Sequence, residues 1–98
     1  MRILVVGSGA REHAIVKALI RTGTPAAEMV CAPGNEGIAK EVETRALDIN
    51  DRLAVTKIAL EERVELVVIG PEAPLVNGVA DALREQGIAV FGPDQKAA

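Results

Sequence analysis

Residues 3–12 read ILVVGSGARE. Ile3 to Val6 is an unbroken apolar run with no alternation, the mark of a strand covered on both faces of a parallel sheet, and it stops at Gly7. The stretch from Arg11 to Thr22 then sets Ala14, Ile15, Ala18, Leu19 and Thr22 on one side at three-and-four spacing, with Gly23 placed to end the helix. A buried strand, a glycine turn and an amphipathic helix in that order open a βαβ unit.

The same rhythm runs to the end of the chain. Met29 to Ala32 (MVCA) reads as a second strand, followed by a loop at Pro33, Gly34 and Asn35. A weaker strand is expected around Val42 to Leu47, after which Asp48 or Asn50 can cap a helix through about Arg63. Leu66 to Ile69 (LVVI) is the clearest buried strand after the first and is stopped by Gly70 and Pro71. Leu75 to Gln86 reads as a helix with Leu75, Val76, Val79, Ala80 and Leu83 inward and Gly87 at its C-terminal cap. Ile88 to Phe91 (IAVF) closes the series at Gly92 and Pro93. Because parallel crossovers are right-handed, two βαβ halves wind in opposite directions from the first strand. The expected fold is therefore one α/β domain over residues 1–98, a five-stranded parallel sheet of order 3-2-1-4-5 with helices on both faces. Ligands of such sheets sit beyond the carboxyl ends of the strands where the order reverses, here between strands one and four.

Composition narrows the functions open to this fold. The 98 residues are 49% hydrophobic with a single aromatic, Phe91, so the core must come from Val, Ile, Leu and Ala. With no Trp or Tyr there is no stacking platform for single-stranded nucleic acid, and a net charge of −3 opposes binding by counterion release. No nucleic-acid partner is expected. One cysteine, Cys31, and one histidine, His13, exclude an internal disulfide and a cysteine-rich metal site, and they fit a reducing cytoplasm. The first apolar run is too short for a signal-peptide core or a membrane span, so no membrane partner is expected either.

Three loops carry the candidate chemistry. GSGARE (7–12) removes Cβ atoms at Gly7 and Gly9 just before a helix N-terminus, where amides and the positive helix end can face an anion or polar ligand. A positive φ is expected at Gly9, a conformation closed to β-branched residues. A dinucleotide fingerprint would want a third glycine at position 12 and an acid near the end of the second strand; the chain has Glu12 and Cys31-Ala32-Pro33. GPEAPL (70–75) holds Glu72 between Pro71 and Pro74, which stiffens a carboxylate suited to a hydroxyl or amine, or to capping the next helix. APGNEG (32–37) follows the second strand, and Gly34 and Asn35 are turn formers that lie near the same crevice. Arg11 can clamp a phosphate or carboxylate or stand as a surface charge, whereas His13 reads as helix packing and Cys31 as a small buried hydrophobe. Glu61, Glu62 and Glu65 read as a solvated edge.

Taken together, VVGSGAREHA, CAPGNEG, VIGPEAPLVNGVAD and VFGP resemble, in the right order and across the whole chain, the N-terminal domain of the phosphoribosylamine–glycine ligase family, the glycinamide ribonucleotide synthetases. Ala10 departs from the resemblance, standing where many members have a glycine, but it is small enough for the loop to survive. The resemblance implies a Rossmann-like preATP-grasp domain of an ATP-grasp ligase of purine biosynthesis. Such enzymes use ATP and magnesium to activate glycine as an acyl phosphate, which the amine of phosphoribosylamine attacks. By the same resemblance Gly9, Ala10 and Arg11 would line the phosphoribosylamine site, Glu72 would contact ribose hydroxyls or the amine, and Asn35 would contribute.

No catalytic residue and no metal ligand is expected on the chain itself. It offers no Gly-x-x-x-x-Gly-Lys loop, and Lys17, Lys40, Lys57 and Lys96 lie away from the crevice. ATP and magnesium would be held by further domains of a longer parent, with DQKAA (94–98) as the start of a helix leading onward, and the chain alone is expected to be a binding module without turnover. The competing class is a stand-alone nucleotide- or coenzyme-binding module of the same fold.

Overall fold

A computed structural model of the chain describes residues 1–48, 51–70 and 79–92. Five strands, β1 (Ile3–Gly7), β2 (Met29–Pro33), β3 (Glu43–Thr44), β4 (Leu66–Ile69) and β5 (Ala89–Phe91), form one parallel sheet in the order β3-β2-β1-β4-β5. That is the expected topology. The register is in phase across the centre: Ile3 lies opposite both Met29 and Leu66, and Val6 opposite both Ala32 and Ile69. The carboxyl ends of β1, β2 and β4 therefore finish at one level, which is what creates a common rim.

The lack of alternation in the strands has its explanation in two cores. Leu4, Val6, Val30, Ala32, Val67 and Ile69 point to one face, where Val55 and Ile58 of α3 (Arg52–Glu61) and Val79 and Leu83 of α4 (Val79–Glu85) cover them. Ile3, Val5, Met29, Cys31 and Val68 point to the other, covered by Val16 of α1 (Ala10–Arg21) and Ile38 of α2 (Glu36–Ala39). Each buried aliphatic side chain contributes about 1.5–3 kcal/mol relative to its exposed state, so the central strand is held from both sides without an aromatic anchor. Phe91, the one aromatic, is 70% exposed on the edge strand β5. Among the described residues no helix is long and apolar enough to cross a membrane.

Several local expectations change. Helix α1 buries Glu12 and Val16, with Ile15 and Leu19 packed alongside, while Ala14 faces solvent. The apolar-periodicity reading thus holds for Ile15 and Leu19 but misses that the most buried positions are Glu12 and Val16 and that Ala14 and Thr22 are exposed. The third loop runs into the four-residue helix α2, too short to show a period, and β3 keeps only two residues of the stretch 42–47. Asp51 caps α3, accepting from the amides of Leu53 at 2.9 Å and Ala54 at 3.3 Å; Asp48 is not the cap, and Asn50 lies outside the described residues. Residues 75–78 of the helix expected over 75–86 and the tail 93–98 also lie outside them.

Glu62 is not simply a solvated charge. It binds Arg2 at 2.7 Å and Arg45 at 3.1 Å, with Arg45 also reaching Glu61 at 3.1 Å, so the pair ties the start of β1 to the end of α3 and the strand that follows α2. The carboxylates hold the Arg45 guanidinium above its ordinary range.

Candidate functional site

The rim at the carboxyl ends of β1, β2 and β4 is built by hydrogen bonds that converge on the first loop. The Gly70 amide donates to the Val6 carbonyl at 2.9 Å and the Gly34 amide to the Gly7 carbonyl at 3.0 Å, which ties Gly70 and the third loop to the end of β1. Asn35 adds a cross-brace. Its Oδ1 accepts from the Ile38 amide at 2.9 Å as the N-cap of α2, and its Nδ2 donates to the Ser8 carbonyl at 2.8 Å. The turn former read from the sequence thus works as a helix cap and joins the APGNEG and GSGARE loops.

Of the five candidate residues, four are brought together on this rim. Gly9 is the N-cap of α1, Ala10 and Arg11 are exposed in its first turn, and Asn35 is exposed beside Ser8. Glu72, with Pro71 and Pro74, lies outside the described residues. One expectation about Gly9 is corrected: its φ is −98° with ψ −177°, extended backbone that any residue adopts. The left-handed value falls on Gly7, at φ +144°.

The residue that sequence reasoning missed is Glu12. It is the one buried polar or charged side chain among the described residues, only 1% exposed, and it folds back from α1 over the ends of β1 and β4. Its Oε1 accepts from the Gly9 amide at 2.8 Å, half of a capping box whose other half is impossible because Gly9 has no side chain. Its Oε2 is buried and has no hydrogen-bond partner among the described residues. A Cβ on Gly7 would come within 2.2 Å of its Cγ, and one on Gly70 within 2.2 Å of its Oε2. The two strand-end glycines are therefore needed because this carboxylate fills the space their side chains would take. The signal was present: glycine at the N-cap with glutamate three residues on is the spacing of a capping box, but it reads first as a failed third glycine.

The charge of Glu12 reaches a second buried group. Burial, reinforced by that carboxylate, pushes the Cys31 thiol up to about 11. Its Sγ rests 3.5 Å from the Gly7 carbonyl, so the thiol stays protonated and serves as packing. His13, expected to serve only as helix packing, also makes a polar contact: its Nε2 is 2.5 Å from Oε2 of Glu41, and its ring covers Gly37 at the start of α2. Gly9's amide is already engaged by Glu12, so it is not an open anion donor, and the groups the rim presents outward are Arg11, Ala10, the Ser8 side chain and Asn35.

Comparison with known proteins bears on what such a rim is for. The family described as "Phosphoribosylglycinamide synthetase, N domain" matches residues 1–98. The chain is 58% identical over 101 residues to a phosphoribosylamine–glycine ligase of Leifsonia xyli, covering 100% of the chain and 24% of that protein. It is 54% identical to the enzyme of the same name from Streptomyces coelicolor, again over the whole chain and 23% of the relative. The chain thus spans about a quarter of the length of these relatives. Among solved structures, an L-threonine dehydrogenase from Clostridium difficile superimposes with a TM-score of 0.71 at 16% identity, over 95% of this chain and 36% of that one. A precorrin-6A reductase gives 0.69 at 20% identity, over 94% and 38%. At such identities these two show a shared Rossmann-like fold and nothing of chemistry.

Proposed function

The chain belongs to the phosphoribosylglycinamide synthetase N-domain family, and from that premise we propose that it is the N-terminal domain of an ATP-dependent ligase acting in the cytoplasm. The ligase joins glycine to 5-phosphoribosylamine, forming glycinamide ribonucleotide in de novo purine biosynthesis, and this domain contributes to the phosphoribosylamine site. The observation that carries the reading is identity of 58% over the full chain to an enzyme whose name states both substrates.

The rim supports a binding role. Arg11 supplies a cation at the mouth of the crevice, and Ala10 keeps the first turn low enough for a ligand to approach its backbone. Asn35 keeps one amide hydrogen beyond the bond it makes to Ser8. Gly9 contributes an absence of side chain at the N-cap, and Glu72 supplies a carboxylate for hydroxyls or the amine. This reading assigns magnesium and ATP, which activate the glycine carboxylate, to other parts of a longer ligase, since the chain spans about a quarter of its relatives' length. The stand-alone coenzyme module is not favoured, because Glu12 occupies the position and the Gly9 amide that a dinucleotide would use.

An assay separates domain from enzyme. The longer ligase carrying this domain should form glycinamide ribonucleotide only with ATP, magnesium, glycine and phosphoribosylamine all present. The 98-residue chain should neither ligate nor hydrolyse ATP under the same conditions. Glycine-dependent ATP hydrolysis by the chain alone, or a longer protein that turns over without phosphoribosylamine, would overturn the proposal.

A further inference from the structure

The first loop has the outline of an anion cradle. A glycine turn leads from a buried parallel strand into a 12-residue helix whose N-terminal amides and dipole attract negative charge. Where this turn serves dinucleotides, a third glycine stands at the place of Glu12, letting helix and strand close together and leaving the turn open to a pyrophosphate. Here that place holds a carboxylate that is only 1% exposed.

Glu12 acts on an incoming anion in two ways. Oε1 already takes the Gly9 N–H at 2.8 Å, removing a donor from the cradle. Its negative charge also sits in the first turn, away from water, where it offsets the positive helix end and repels a second anion. A role in stability alone leaves Oε2 unexplained. The single bond to Gly9 is all that capping needs, and an exposed cap would make it without leaving a buried acceptor unsatisfied against Gly70. We propose that Glu12 is a specificity-determining residue, which bars phosphate and pyrophosphate groups from the first loop and leaves that end of the crevice to the uncharged or cationic part of a ligand.

The bar acts on any anion that approaches the loop. It also sets an orientation: a ligand bearing both a phosphate and an amine would turn its phosphate away from the N-terminus of α1.

The test uses inorganic pyrophosphate as the probe, titrated at constant ionic strength into the ¹⁵N-labelled chain while the amides of residues 8–13 are followed. Glu12→Gln removes the charge and keeps the shape; Glu12→Ala also frees the Gly9 amide. The unchanged chain should show no saturable shift at these amides. Glu12→Gln should bind at least about tenfold more tightly than the limit set by the unchanged chain, and Glu12→Ala more tightly still. A well-dispersed spectrum checks the fold of each variant, and if Glu12→Ala does not fold, Glu12→Gln decides alone. A gain below about tenfold in folded Glu12→Gln, or saturable pyrophosphate binding at these amides in the unchanged chain, overturns the proposal and leaves Glu12 as a strut.

Discussion

Gly7→Ala should be the most damaging small substitution in the domain, lowering stability by about 2–6 kcal/mol. Two effects add. At φ +144° a side chain is strained wherever it points, and the new methyl would lie within 2.2 Å of Glu12 Cγ. Strain and overpacking are each worth about 1–3 kcal/mol. For a domain of this size that translates to a fall in Tm of roughly 10–40 °C, a large part of the total stability of about 5–15 kcal/mol. Gly70→Ala separates the terms, because Gly70 is not in the left-handed region and meets only the carboxylate, at 2.2 Å from Oε2. It should lose about 1–3 kcal/mol, and adding Glu12→Ala should return part of that loss. Urea unfolding of the two single variants and the double variant measures the coupling. Strict additivity would mean that Glu12 is not what holds these positions to glycine.

The second large effect is expected at Glu72. In the longer ligase Glu72→Gln keeps the size of the side chain and removes its charge. A charged hydrogen bond contributes about 1.5–3 kcal/mol, so the KM for phosphoribosylamine should rise about ten- to hundredfold. The KM values for glycine and ATP should change little, since the proposal gives Glu72 no contact with either. Steady-state kinetics with each substrate varied in turn make the comparison. An unchanged phosphoribosylamine KM would remove Glu72 from the phosphoribosylamine site.

What the sequence made legible, and what it hid, follows from how each feature is encoded. The central strands were readable because ILVV, MVCA and LVVI lack alternation, the signature of burial on both faces, and their order followed from the handedness of parallel crossovers. The crevice was readable because topology alone places it where β1 and β4 part. Glu12 was hidden because the space it fills is left by Gly7 and Gly70, two residues far apart in the chain, which leaves no periodicity to detect. The same gap shifted the expected inward face of α1 off Glu12 and Val16, while Ile15 and Leu19 were read correctly. Asn35 was recognised by its turn propensity, yet its bonds to Ser8 and Ile38 depend on the third loop folding back over the first.

If the rim formed by the first and third loops is a ligand site of a phosphoribosylamine-using ligase, a titration of the ¹⁵N-labelled chain with glycinamide ribonucleotide will show it. Saturable shifts should appear at the amides of residues 8–13 and 34–37, with a Kd weaker than about 1 μM, because the rest of the site would be supplied by other domains. Shifts confined to the opposite end of the sheet, around Met1, Glu65 and Ala89, or no shift on the rim at about 10 mM ligand, would contradict it.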